Sequence, residues 1–115
     1  MTFEDQSRKT GFPMVSTAVI YYPDISPGAK VTYTILCAHA YGKKDTCFPS
    51  MDRIAFLMGR TRASIVGYVR ELRNHELLKV IPGNRKAGEN NTYILTRVPQ
   101  PIVDHYWEVN EGSSK

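Results

Sequence analysis

The chain has 115 residues, close to the usual size of one domain, and 42% of them are hydrophobic, which is enough for a packed core. No apolar run is long enough to cross a bilayer, and the first residues lack the apolar stretch of a signal peptide, so we expect a cytoplasmic protein. The sequence has no residues at metal-ligand spacing. It also lacks a nucleophile with its base, paired carboxylates and a glycine loop that could cradle a phosphate. We therefore expect no enzyme, no metal and no cofactor.

The net charge of +4 is concentrated in the middle of the chain. Residues 50–86 hold eight Lys or Arg against three Asp or Glu, a local net charge of +5. Residues 87–115 hold two against four, a local net charge of −2. A basic segment of this kind suits a polyanion such as nucleic acid, although a solvated charged face has the same composition.

The first part of the chain predicts one clear helix. Residues 1–11 are polar and are expected to form a flexible arm, and residues 12–22 a short extended or helical piece that covers the core. Residues 26–41 fit a helix, because apolar residues recur at helical spacing and Ser26 suits the N-cap. Residues 46–48 are a candidate short strand.

Residues 50–80 have the pattern of two short amphipathic helices joined by a tight turn, followed by a strand. Ser50 suits the cap of the first helix, Gly59 the turn, and Thr61 the cap of the second. The apolar residues that recur at helical spacing are Met51, Ile54, Ala55 and Met58 in the first helix and Ile65, Val69 and Leu72 in the second. This arrangement is typical of a helix-turn-helix.

A β-hairpin is predicted after the helix pair. Residues 77–81 and 92–97 are apolar enough for strands, and the loop 82–91 between them is rich in Gly and Asn. The loop carries Arg85 and Lys86, so the hairpin has a basic tip.

The order of helix, helix, turn, helix and hairpin is that of a winged helix-turn-helix, an α+β, mainly α fold with a three-helix core and a β-hairpin wing. Residues 11–95 resemble the winged helix-turn-helix domains of bacterial plasmid and phage replication initiators and of DnaD-like proteins. The residues that carry the resemblance are Ser50, Ile54-Ala55, Gly59, Thr61, Ile65, Val69, Leu72 and Leu77-Leu78. Two positions depart from the pattern. Arg53 replaces the residue that would complete a capping box, and Glu76 replaces the usual Gly before the wing strand.

The resemblance implies double-stranded DNA binding, often as a homodimer. The recognition helix, residues 61–75, would enter the major groove, and the wing, residues 82–91, would lie on the flanking backbone. We assign residues 12–98 to the DNA-binding domain and residues 99–115 to an extension that is a candidate dimerisation segment. Plasmid or phage replication and transcriptional regulation both stay open, because the same module serves both.

Side chains that the core does not account for form the predicted DNA-binding surface. They are Ser50, Arg60, Thr61, Arg62, Ala63, Ser64, Gly67, Arg70, Asn74, Arg85 and Lys86. Arg62, in the first turn of the recognition helix, is expected to bind a guanine edge or a phosphate rather than only solvent. Thr61 is expected to act first as a cap. Gly67 would let the helix backbone approach DNA closely, or it reflects a tolerant surface site.

Several alternatives stay open at this point. Instead of binding DNA, Arg70 would pair with Glu71 or Glu76 or would remain free in solvent. The wing tip would be an ordinary solvated hairpin loop. Tyr106 and Trp107 would pack on their own domain or on a second subunit. The alternative function is a protein–protein interaction module, an accessory factor of a replication or transcription complex.

Overall fold

The computed structural model describes residues 13–40 and 45–112. Within them the elements, in chain order, are α1 (Thr17–Tyr21), α2 (Pro27–Ala40), β1 (Thr46–Cys47), α3 (Met51–Met58), α4 (Arg62–Asn74), β2 (Leu78–Ile81), a 3₁₀ turn (Arg85–Ala87), β3 (Thr92–Leu95), α5 (Gln100–Trp107) and a π-helical turn (Glu108–Gly112). The predicted arm, residues 1–11, lies outside the described residues.

The helix ends form where the sequence predicts caps. Ser50 Oγ accepts a hydrogen bond from the Arg53 backbone N–H (3.0 Å), and Thr61 Oγ1 accepts one from the Ser64 N–H (3.2 Å). Gly59 ends α3 in the left-handed conformation, with φ of 66°, which glycine adopts without a steric penalty. The helix pair is therefore fixed by its own local chemistry, as predicted.

The helix α2 packs on both members of the pair and forms the third helix of the core. Ser26 caps it, since Ser26 Oγ accepts from the Ala29 N–H at 3.2 Å. Of the short piece predicted before it, residues 12–22, the structure describes residues 13–22 and places Thr17–Tyr21 in helix α1, whose Val19 is fully buried.

Three antiparallel strands form one sheet in the order β1-β3-β2. Tyr93, fully buried in the central strand, lies opposite Cys47 on one side and Val80 on the other. The prediction that β2 begins at Leu77 is wrong by one residue, because the Leu77 N–H donates to the Leu72 carbonyl (3.0 Å) and so closes α4. β3 ends at Leu95, two residues earlier than predicted, although the Thr96 N–H still donates to the Leu77 carbonyl (3.2 Å).

The core lies between the three helices and the sheet. Its most deeply buried large side chains are Tyr93, Ile25, Leu36, Ile54, Ile65, Leu72, Leu77 and Val19. The first part of the predicted extension 99–115 contributes to this core, because α5 packs on α1 and buries Ile102. Tyr106 stacks on Tyr21 with ring centroids 5.9 Å apart, whereas Trp107 is 53% exposed.

The residue before the wing strand has an unusual backbone. Glu76, which stands where the resembled family has Gly, has a φ of 60°, and a residue with a Cβ is strained there. Replacing Glu76 by Gly is therefore expected to raise the free energy of unfolding by about 1 kcal/mol, measured by urea denaturation. Glu76→Ala is the control, because it removes the same carboxylate and keeps the Cβ. Equal stabilisation by both variants would show that charge, not strain, is responsible.

Candidate nucleic-acid interface

The buried and exposed residues of α4 lie on the two faces that the sequence predicts. Ile65, Val69 and Leu72 are buried, and the outer residues Ala63, Gly67, Arg70 and Asn74 are exposed. The outer face runs the length of the helix, so Asn74 lies about 18 Å along the axis from the first turn.

Gly67 has no packing reason to be glycine. A Cβ added at this position would meet no atom within 4 Å, because the outer face of α4 is open. Gly28 is the opposite case, since a Cβ there would overlap the ring of Tyr68, which packs against the core. The absence of a side chain at Gly67 therefore serves no contact among the described residues, and it leaves the helix backbone accessible from outside.

The start of α4 contains an ion pair that the sequence analysis missed. Arg62 Nη1 lies 3.1 Å from Asp52 Oδ1 on α3, and the two side chains are 58% and 76% exposed. Beside it, the hydroxyls of Thr61 and Ser64 are 3.1 Å apart, and Thr61 is engaged as a cap, as expected. Arg62 is thus exposed but held by a partner on the preceding helix.

Arg70 does not pair with Glu71, so that alternative is wrong. Both carboxylate oxygens of Glu71 accept from Ser26 instead, one from its backbone N–H (2.6 Å) and one from its hydroxyl (2.7 Å). Within residues 13–40 and 45–110, Arg70 forms no ion pair with Glu76 either. The guanidinium of Arg70 therefore projects from the outer face of α4 with its charge uncompensated by these carboxylates.

The wing tip has a defined loop structure. Asn84 Oδ1 accepts from the Lys86 N–H (3.1 Å), and the Asn84 N–H donates to Glu89 Oε1 (3.0 Å). These bonds enclose the 3₁₀ turn that carries Arg85 and Lys86, both exposed. Asn90 Nδ2 also donates to the carbonyl of the residue at position 48 (3.1 Å), which ties the wing to the segment before α3. The basic tip is therefore presented in a fixed position.

A cleft of about 390 Å³ lies between the wing and the starts of α3 and α4. Among the residues that line it are Ser50, Asp52, Arg62 and Arg85. The cleft brings together predicted site residues from three separate parts of the sequence. Three further predicted residues lie within two positions of Arg62 in the sequence, namely Arg60, Thr61 and Ser64, and Lys86 follows Arg85. Its floor includes Tyr93, whose pKa is raised by burial, so the phenol stays neutral.

The two cysteine thiols are packed in the core and do not form a reactive site. Cys37 and Cys47 are buried thiols, as predicted, and burial raises the pKa of Cys37 to about 11. Cys47 Sγ donates to the Leu36 carbonyl at 3.6 Å. Within residues 13–40 and 45–110, no cluster of three or more His, Cys, Asp or Glu could hold a metal ion. In the described part of the chain no helix combines the length and apolar character needed to span a membrane.

Residues 24–78 match the family model of the helix-turn-helix domain, and this segment covers α2, α3 and α4. This part of the chain is therefore similar to the helix-turn-helix domain family. The match ends where β2 begins, so the wing and α5 lie beyond it.

Solved structures share the fold of the chain over nearly its whole length. One is the structure of a Rep–DNA complex, with a TM-score of 0.64 at 12% sequence identity over 97% of this chain and 95% of that chain. Another is the N-terminal domain of a DNA-binding protein, with a TM-score of 0.61 and the same identity and coverage. No curated protein sequence matches the chain. The predicted winged helix-turn-helix fold is confirmed, and the chain shares this fold with the Rep–DNA complex structure.

Proposed function

We propose that the protein binds double-stranded DNA in a sequence-specific manner, with α4 in the major groove and residues 82–91 on the flanking backbone. The observation that carries this proposal is the single surface formed by the start of α4 and the wing tip, where Arg62 and Arg85 line one cleft. The major groove admits an α-helix, and the open outer face of α4 is free to enter it. The protein would act by binding and not by catalysis.

Most of the predicted contact residues have a role in this geometry. Arg62 and Ser64 would reach base edges, since the N-terminal part of a recognition helix contacts them in this class of domain. Arg70 and Asn74 would follow the groove towards the backbone. The phosphate contacts would come from the basic tip of the wing, with Arg60 in the turn as a further contact. The Ser50 hydroxyl oxygen already accepts a capping bond, which leaves its O–H group as a donor to phosphate. The Thr61 hydroxyl shares a hydrogen bond with the Ser64 hydroxyl, so one O–H group of that pair is left as a donor.

We propose plasmid or phage replication as the process, and the likeness to the Rep–DNA complex supports this choice. Transcriptional regulation is the alternative that the same geometry would serve. Either process would place the protein on DNA in the bacterial cytoplasm.

We further propose that the protein acts as a homodimer through an aromatic face on α1 and α5. This face consists of Ile20 and Tyr21 on α1, Tyr106 and Trp107 on α5, and Val109 in the turn that follows α5. All but Tyr106 are between 42% and 53% exposed. It adjoins the end of α4 that is remote from the wing, because Tyr22 contacts His75 with ring centroids 5.9 Å apart. Two copies joined there would keep both DNA-binding surfaces free. The same face favours the second candidate function, an accessory module that binds replication or transcription proteins.

Selection from a random duplex library followed by gel retardation tests the proposal. The protein is expected to retard duplex DNA at low salt and to enrich one consensus, which for a dimer is palindromic with half-sites about 10 base pairs apart. A variant with Arg62, Arg70 and Arg85 changed to Gln should stay folded and lose this binding. Arg97→Gln is the control, because Arg97 follows β3 near the opposite end of α4. Absence of retardation by the native protein, with a protein partner recovered by pull-down, would instead establish the accessory module.

A further inference from the structure

The ion pair between Arg62 and Asp52 is expected to contribute little to the stability of the fold. Both side chains are more than half exposed, and exposed ion pairs contribute little to the free energy of unfolding. The helices that carry the pair are fixed independently, α3 by its Ser50 cap and α4 by its Thr61 cap. The effect of the pair is therefore geometric, because it orients the Arg62 guanidinium from a rigid support at the mouth of the cleft.

The pair also has a chemical character that a lone arginine lacks. The guanidinium has five N–H donors, one of which is engaged by Asp52 Oδ1, and the carboxylate keeps acceptor sites on both oxygens. A phosphate offers acceptors only, and the adjacent carboxylate repels it. A base pair in the major groove offers both kinds of group. Guanine O6 and N7 accept hydrogen bonds from the guanidinium, and the cytosine N4 amine, a donor, places no negative charge beside Asp52. Arg62 with Asp52 therefore matches a G·C pair better than it matches the backbone.

We propose that Asp52 is a positioning residue that determines sequence specificity: it holds Arg62 to read the guanine of one G·C pair at the start of α4. This inference rests on the proposed DNA binding and deepens it. A held side chain loses less conformational entropy on binding, which increases the gain from the correct base. The negative charge of Asp52 meanwhile weakens contact with phosphates, so specificity rises while affinity for unrelated DNA falls.

The test compares base preference with overall affinity in the full-length chain. The native protein, Asp52→Asn, Arg62→Gln and the double variant are each used to select duplexes from a random library, and binding is then measured on the consensus duplex and on duplexes with single base-pair changes. Asp24→Asn is the matched control, because it removes the same charge from an exposed position in the loop before α2. Thermal unfolding establishes that each variant is folded.

In the native protein, replacing the contacted G·C pair by A·T is expected to weaken binding by roughly 5-fold to 100-fold. Asp52→Asn and Arg62→Gln should each lose this preference at the same base pair. Asp52→Asn should also bind random-sequence duplex more tightly than the native protein does. In the Arg62→Gln background, Asp52→Asn should change the base preference no further, because Asp52 acts through Arg62.

Two results would overturn the inference while leaving the proposed function intact. One is a native G·C preference that Asp52→Asn retains in full. The other is an Asp52→Asn variant that weakens equally on all duplexes, which indicates a structural role for the carboxylate. If the native protein retards no duplex at low salt, the proposed function itself fails, and the two failures are thereby distinguished.

Discussion

The affinity of the protein for duplex DNA is expected to fall by about three decades between 50 and 200 mM salt. Each phosphate that a basic side chain neutralises releases condensed counterions, and about six phosphate contacts across a dimer give a slope near −5 in log affinity against log salt. The exposed basic residues around the cleft and along α4 supply contacts of this number. Binding isotherms at a series of salt concentrations measure the slope directly.

The wing tip allows the origin of that slope to be located. Changing Arg85 and Lys86 to Gln removes two contacts per protomer, so the slope for a dimer should become shallower by about 3 to 4. The turn should survive, because its hydrogen bonds involve Asn84, Glu89 and backbone groups rather than the two basic side chains. Arg97→Gln lies far from the proposed DNA-binding surface and should leave the slope unchanged. A flat salt response of the native protein would contradict groove binding altogether.

The elements that the sequence predicted well are those fixed by neighbours in the chain. The caps at Ser50 and Thr61 and the left-handed Gly59 need only residues within one turn of helix, and they appear where expected. The buried face of α4 follows from helical periodicity. The basic hairpin follows from its loop composition, although its strands are shorter than predicted.

The contacts that the sequence did not predict join residues far apart in the chain. Arg62 and Asp52 are separated by one helix and a turn, and neither position alone distinguishes a paired from a solvated charge. The Asn90 side chain meets the backbone 42 residues away, and a polar residue in a loop carries no sign of such a bond. Glu71 was an alternative partner of Arg70 on the same helix, which is the nearest local choice. The packing of α2 against α4 instead brings Ser26 within hydrogen-bond distance of the Glu71 carboxylate.

That contact between α2 and α4 leads to the largest effect expected on stability. The carboxylate of Glu71 accepts two hydrogen bonds from Ser26, at 2.6 and 2.7 Å, and it lies at the N-terminus of α2, where a negative charge is favoured. Hydrogen bonds to a charged group contribute about 1.5 to 3 kcal/mol each. Glu71→Ala leaves a partly buried N–H without its acceptor, so we expect it to lower the free energy of unfolding by about 3 kcal/mol, measured by urea denaturation.

Two further variants separate this contact from a general loss of charge. Glu108→Ala makes the same truncation at an exposed position and should change stability by less than about 0.5 kcal/mol. Ser26→Ala removes one of the two bonds, so its effect should be smaller than that of Glu71→Ala, and the double variant should be less destabilised than the sum of the two. Strict additivity would mean that the two residues act independently. Coupling would instead establish that Glu71 joins α2 to α4, and so helps to set the angle between these two helices.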